Sequence, residues 1–407
     1  MEKKDYKTNC FDTAIAKFLT HIESLWTTMP IVLRAIESAQ STADSNYNQF
    51  LKKNCEYVES QKHYIIPPQH SRKNIVLRNA AQNSKAAVKI IKRNFLVSLI
   101  SQFDTYIADL MRCVFIINPE LLNASEKKIS YSDLIAFGTL SAAQDFIIEK
   151  EVETLLRESH IEQFKWFEKK LSIALRKDLD IWSTFIEMTQ RRNIFVHNDG
   201  KISNQYITVC KENGVRDLRE YKVGDELDID IKYFEKAFRA LFEIGVKLEQ
   251  VIRRHLVSEE IERADISFLN ISFELIQNKQ YELAKELYDF SDKYIKKYNS
   301  NDMKLRILLN RAQTYKWLNE EEQCEKIIRS VDWTAFSDLF KMCSFVLLND
   351  FTKAAKIMKN IGNNESIINK NNYKDWPIFK RFINSDEFKA TYLDIYSEEL
   401  EVIEQVV

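Results

Sequence analysis

Arg192, Asn193 and His197 fall within six residues of one another in the run TQRRNIFVHNDG, which spans 189–200. On a helix, residues four apart share a face, so Asn193 and His197 are neighbours, and the long side chain of Arg192 reaches the same spot. One helix end then presents an imidazole, an amide and a guanidinium together. Phosphodiester cleavage without a metal needs a group that exchanges a proton near neutral pH and a fixed cation for the charge that develops on phosphorus. Histidine and arginine are those two groups. Of the six histidines, only His197 has an arginine four to six residues before it. A single copy of this helix end is nevertheless short of groups. Attack by a 2′-hydroxyl requires one proton taken and another given, and one imidazole cannot be both donor and acceptor at once. A second copy across a two-fold axis would supply the missing imidazole, so a homodimer is expected.

The elements that must position these residues read as helices. The pattern predicts a helix over 161–197, with Trp182, Phe185, Ile186 and Thr189 on its packed side and Asn198-Asp199-Gly200 as its stop signal. Periodicity is clearest over 84–117, where Val88, Ile91, Phe95, Leu99, Phe103, Ile107, Leu110 and Val114 recur every three or four residues, and Pro119 ends it. Further helices are expected over 9–40 and 44–63, before the Ile66-Pro67-Pro68 break, and over 131–159 and 234–256. Between 201 and 231 the chain is irregular, with a brief strand expected in KVGDELDIDI.

Composition agrees with an all-α fold. The chain has 407 residues but only 6 Gly and 5 Pro. Average usage would give roughly 45 of the two together, so strands joined by tight turns cannot dominate. Lys+Arg and Asp+Glu nearly cancel, at 59 against 60, so any nucleic-acid site must be local. One stretch is locally basic. From Glu59 to Asp104 no acidic residue intervenes, while Lys62, Arg72, Lys73, Arg78, Lys85, Lys89, Lys92 and Arg93 are all basic. Lys85, Lys89, Lys92 and Arg93 are therefore expected to contact RNA phosphates. The six cysteines form no CxxC pair and lie in apolar patterns, as free thiols do in a reducing compartment. No signal peptide or membrane-spanning stretch is apparent, so a soluble, cytoplasmic protein is expected. The HExxH, GxSxG, GxxxxGK and GxGxxG patterns are absent, and no cofactor or metal is expected.

From about Ser258 the texture changes to short amphipathic helices. NKQYELAKELYDF, LNEEEQCEKIIRSV and LNDFTKAAKIMKNI superpose with Ala284, Cys324 and Ala354 at matching places, at spacings of 40 and 30 residues. These straddle the 34-residue period of tetratricopeptide repeats, whose second helix needs a small residue where it packs on the first, and the region resembles that family. DWPIFKRFINSDEF reads as a terminal helix pair covering the last face.

The run RNIFVH resembles the R-N-x-x-x-H form of the R-x4-6-H signature of HEPN domains, which occur in type VI CRISPR effectors, bacterial toxins and abortive-infection proteins. The resemblance covers about residues 67–256. It implies a helical bundle with a long early helix and the motif at the end of a late one. It also implies an endoribonuclease that works without metal, dimerises, and leaves a 2′,3′-cyclic phosphate. By position, His197 would be the catalytic acid or base, Arg192 the phosphate-stabilising cation and Asn193 the residue that orients them. Arg191 offers an alternative spacing and a further RNA contact. The expected organisation is 1–66 as N-terminal helices packed on or part of the bundle, 67–256 as the HEPN-like domain, and 257–407 as the repeat region. That last region would sense a trigger or bind a regulatory protein in phage defence or a toxin–antitoxin pair. The rival expectation is a non-catalytic scaffold that dimerises through the first domain and binds a protein through the repeats.

Overall fold

The computed structural model describes residues 2–124, 128–177, 179–216, 218 and 220–400. The fold is all-α among them, apart from one two-stranded hairpin. The chain divides into two compact units, residues 1–252 and 253–407.

The first unit is built on two long helices, α1 (Glu2–Asn54) and α2 (Ser71–Ile117). They run antiparallel, because Lys17 bonds Asp109, His21 bonds Gln102 and Tyr47 bonds Asn74. Phe11, Ile15, Phe18, Ile22, Met29 and Leu33 form the buried stripe of α1 at three- to seven-residue intervals, and Leu96, Leu99, Phe103, Ile107, Leu110 and Val114 form that of α2. Both helices extend beyond what periodicity indicates. The α1 helix passes unbroken through 41–43, since small polar residues weaken a helix without ending it. The α2 helix starts 13 residues before Ser84 because prolines just ahead of a first turn are compatible with a helix start. That early segment is largely solvent-exposed, so it carries no apolar stripe to read.

The 44–63 helix expected from sequence ends at Asn54. The chain then makes the hairpin β1 (Glu56–Val58) and β2 (His63–Ile65), with Tyr57 opposite Tyr64. After α2 come α3 (Tyr131–Phe137), α4 (Leu140–Leu156), α5 (His160–Leu171), α6 (Trp182–His197), α7 (Asn204–Glu212) and α8 (Ile231–Leu256). Two expected long helices are thus each divided in two. Gly138, in the left-handed region, ends α3, and Ser172, also left-handed, ends α5. KVGDELDIDI contributes a single bridge, Lys201 to Glu226, rather than a strand. Gly245 on α8 admits the ring of Phe18, whose nearest atom would lie 2.5 Å from any Cβ there. Phe18 in turn stacks on Tyr106, whose hydroxyl donates to the Gly245 carbonyl.

The second unit carries α9 (Ile261–Gln277), α10 (Tyr281–Tyr294), α11 (Asn301–Trp317), α12 (Glu321–Arg329), α13 (Asp338–Leu347), α14 (Phe351–Ile361), α15 (Lys370–Asp375) and α16 (Asp386–Tyr396). The pairs α9–α10, α11–α12 and α13–α14 share one turn. Lys279, Asn319 and Asn349 are left-handed at φ 59°, 63° and 58°. The next N–H closes onto a carbonyl five residues back, from Gln280 to Leu275, Glu320 to Tyr315 and Asp350 to Phe345. Ala284, Cys324 and Ala354 are at most 1% exposed, as the superposed sequences require. The DWPIFKRFINSDEF segment forms two short 3-10 turns leading into α16 rather than a helix pair, and buries Phe379, Phe382 and Phe388.

Lys316 is the unusual core residue of this unit. Its Nζ is buried and donates to the carbonyls of Val346 (3.0 Å) and Leu347 (2.8 Å) and to Oδ1 of Asn349 (2.6 Å). It thereby satisfies carbonyls at the C-terminal end of α13 that a helix end leaves unpaired. Burial pushes the Lys316 ammonium down to about 8. An unfolded lysine titrates at about 10.4, so between these values the unfolded chain holds more protons and wild-type stability rises with pH. Lys316→Met should lower the melting temperature at pH 7 through orphaned acceptors costing about 1–3 kcal/mol. Thermal melts of the two proteins from pH 7 to 10 should show the deficit widening above about pH 8. A constant deficit would remove the titration from the account.

Candidate functional site

The helix α6 is fixed from within. Phe185, Ile186, Met188, Thr189 and Ile194 are buried, and so are Glu187 and Arg191. Arg191 Nε donates to Glu187 at 2.8 Å, NH1 to the Asp228 carbonyl at 3.0 Å and NH2 to the Tyr221 hydroxyl at 3.3 Å, while its guanidinium lies 3.9 Å from the Tyr233 ring centre. Tyr206 and Tyr233 each donate to Glu187 at 2.6 Å. Burial, then the Glu187 charge, holds both phenols well above the usual tyrosine range, so they stay donors. The pair therefore has the hydrogen bonds a buried ion pair needs. This placement takes Arg191 out of reach of RNA: the arginine offered as an alternative spacing and RNA contact is a core residue.

Arg192 is about 100° further round the helix and emerges on another face. Its NH2 lies 3.4 Å from Asp104 Oδ2 on α2, and its NH1 lies 3.1 Å from Asn193 Oδ1. Arg192 Nε is buried and has no hydrogen-bond partner among the described residues. The other oxygen of Asp104 sits 2.8 Å from Nε2 of His160, the first residue of α5. His160 packs against the Phe103–Phe185 ring pair, 5.9 and 5.5 Å from their ring centres. His160, Asp104, Arg192 and Asn193 thus form a continuous chain of contacts drawn from α2, α5 and α6. His197 is exposed at the end of α6, one turn beyond Asn193, which places their Cβ atoms about 5–6 Å apart. Motif residues Arg192 and Asn193 are brought into contact. His197 stands next to them and makes no hydrogen bond to a described residue.

The loop after His197 is clamped by Arg93. Its NH1 donates to the carbonyl (3.2 Å) and side chain (3.0 Å) of Asp199, and its NH2 to Glu226 and, at 3.5 Å, to the Leu227 carbonyl. The guanidinium also covers the Phe195 ring. Gly200 makes the approach feasible: at φ +78° a Cβ would sit 2.5 Å from Arg93 NH2. Gly200 N–H, like that of Asn198, closes onto the Ile194 carbonyl and ends α6 at His197. Of the four α2 residues expected to meet RNA, Arg93 is therefore committed inside the protein. Lys89 pairs with Glu226 and Lys92 with Glu37, whereas Lys85 is exposed. Exposed basic residues lie earlier on α2, at Arg72, Lys73 and Arg78.

Asp104 and His160 were missed by sequence reading. They are 56 residues apart, and Asp104 lies 88 residues from Arg192, so no spacing rule connects the three. The only sequence trace is a carboxylate set within the apolar stripe between Phe103 and Tyr106. Among the described residues, no group of three or more His, Cys, Asp or Glu side chains converges as metal ligands would.

The Gly200–Arg93 contact has a measurable consequence. Gly200→Ala forces a left-handed alanine, at about 1–2 kcal/mol, besides displacing the guanidinium. The melting temperature of the first unit should fall by roughly 2–8 °C, and an unchanged melt would show that the loop relaxes freely. No protein-family model, curated protein or solved structure matches this chain.

Proposed function

We propose that the chain is a HEPN-type endoribonuclease whose site lies at the end of α6, with Arg192 as the phosphate-binding cation, His197 as acid or base and Asn193 as the residue that orients the guanidinium. The observation that carries this reading is the contact of Arg192 with Asn193, one turn before an exposed His197 that no described residue engages. An imidazole that stabilises nothing locally is free to act on a ligand, and a guanidinium with two of its N–H groups held can still offer others to a phosphate. RNA would cross the exposed basic residues of α2, Arg72, Lys73, Arg78 and Lys85. A homodimer, and a regulatory protein or trigger bound by the second unit, complete the reading. Its setting in phage defence or a toxin–antitoxin pair follows from family analogy alone.

The rival scaffold reading is favoured by one observation. Arg192 is ion-paired with Asp104, as a purely structural arginine would be. The two readings separate on incubating the full chain with total RNA in EDTA.

Under the ribonuclease reading, His197→Ala should lower the cleavage rate by about 10²–10⁴-fold. Its melting temperature should stay within a degree or two, since an exposed side chain contributes under about 0.5 kcal/mol. Full activity in this variant would remove His197 from the site. For RNA binding, reversing both Arg78 and Lys85 to Glu should reduce the slope of log affinity against log salt by roughly 0.7 for each phosphate no longer neutralised. A wild-type slope would place the RNA on another face.

A further inference from the structure

The first helices of the three pairs in the second unit, α9, α11 and α13, share a cavity of about 200 Å³. A cavity of about 150 Å³ already admits a benzene-sized molecule. Phe273 lines it from α9, Leu309 from α11 and Phe340 from α13, while Trp376 and Ile378 add a further wall from the segment after α15. The surface they make is apolar.

The polar side chains in that lining are Asn270, Arg306, Asn310 and Gln313, and no carboxylate of a described residue joins them. Arg306 can only donate. Gln313 is 1% exposed, and its oxygen accepts from the Ile378 N–H and from the Trp317 Nε1–H, both at 3.0 Å, so that what it can still offer is N–H. The Arg306 guanidinium is exposed, pairs with no carboxylate among the described residues, and lies 6.0 Å from the Phe340 ring centre. On α11 it shares a face with Asn310, one turn on, and with Gln313, seven residues and about 10 Å along the axis. The cavity is therefore polarised. One end holds a cation without a counter-charge beside an amide, and the other adjoins Ile378.

We propose that this cavity binds a small monocarboxylic acid with an apolar body, its carboxylate on Arg306 and Asn310 and its body against Phe273, Leu309 and Ile378. A neutral apolar molecule would leave the guanidinium unused, and a cation would be repelled by it. An acid uses both ends, because a carboxylate makes charge-assisted hydrogen bonds with a guanidinium while an apolar wall takes the remainder. The lined stretch of α11 is as long as about three residues of extended chain, which suits a small molecule better than a peptide segment. The proposal gives the trigger expected of the second unit a chemical class, and its binding is measurable whether or not the first unit cleaves RNA.

The test is calorimetric titration of the full-length protein with 4-phenylbutyrate, with decanoate, and with the neutral alcohols of the same two skeletons. At least one acid should bind about 10–100-fold more tightly than its alcohol, the worth of a hydrogen bond to a charged group. Arg306→Gln, at an exposed position, should keep the wild-type melt and remove that preference, weakening the acid by the same factor and the alcohol by less than about twofold. Leu339→Trp fills the cavity from α13 and should abolish binding of both in a protein whose circular dichroism matches wild type. If neither acid gives heat at millimolar concentration, if each alcohol binds as tightly as its acid, or if Arg306→Gln leaves the acid affinity unchanged, the proposal is overturned. Tighter binding by the peptide acetyl-Gly-Gly-Phe than by either acid also overturns it, and gives the cavity to the C-terminus of a protein partner.

Discussion

The buried Arg191–Glu187 pair fixes the rotation of α6 about its own axis, and the candidate site depends on that rotation. Two arginines adjacent in sequence leave a helix about 100° apart, so anchoring one decides where the other points. With Arg191 held by Glu187, the Asp228 carbonyl, the Tyr221 hydroxyl and the Tyr233 ring, Arg192 is directed at α2 and meets Asp104. Breaking one member of such a pair costs several kcal/mol because it strands a charge in the core, whereas a slightly misplaced surface arginine costs little. The rigid residue is the inner one, and the outer one inherits its position.

A second anchor works on the other side of His197. Arg93 brings Asp199, Glu226 and the Leu227 carbonyl to one guanidinium, and so ties the turn after α6 to α2. The basic stretch of α2 is for this reason two things at once. Its deep end, where the apolar stripe begins, makes internal ion pairs, and its exposed end leaves cations facing water. Charge counted along a sequence cannot distinguish these, because the distinction arises from which face of the helix is covered.

Much of the architecture was legible because it is written at short range. Buried small residues at 284, 324 and 354 and the common left-handed turn preceding them follow from local pattern, as does the stop of α6 at Asn198–Gly200. The reading failed where the deciding contact is distant or where no pattern exists. Serine and threonine near 41–43 looked like a break, yet nothing there forbids a helix, and α1 continues. Arg191, offered by the sequence as an alternative spacing to Arg192, is claimed by Glu187 four residues earlier. Asp104 and His160 carried almost no signal, since they meet only after α2, α5 and α6 have packed.

Asp104 raises the question of whether its charge cancels the arginine it positions. A guanidinium has five N–H donors in a fixed fork, and here Asp104 and Asn193 take one each, on different terminal nitrogens. The contact to Asp104 is long, at 3.4 Å, while the carboxylate's shorter bond at 2.8 Å goes to His160. The closer partner of the carboxylate is therefore the imidazole, and the guanidinium is held by the longer contact. A phosphate approaching Arg192 has uncommitted donors to meet, and it arrives at a group already held in place, so little further side-chain freedom is lost on binding. An aspartate shared in this uneven way orients the arginine while leaving other donors of its guanidinium uncommitted.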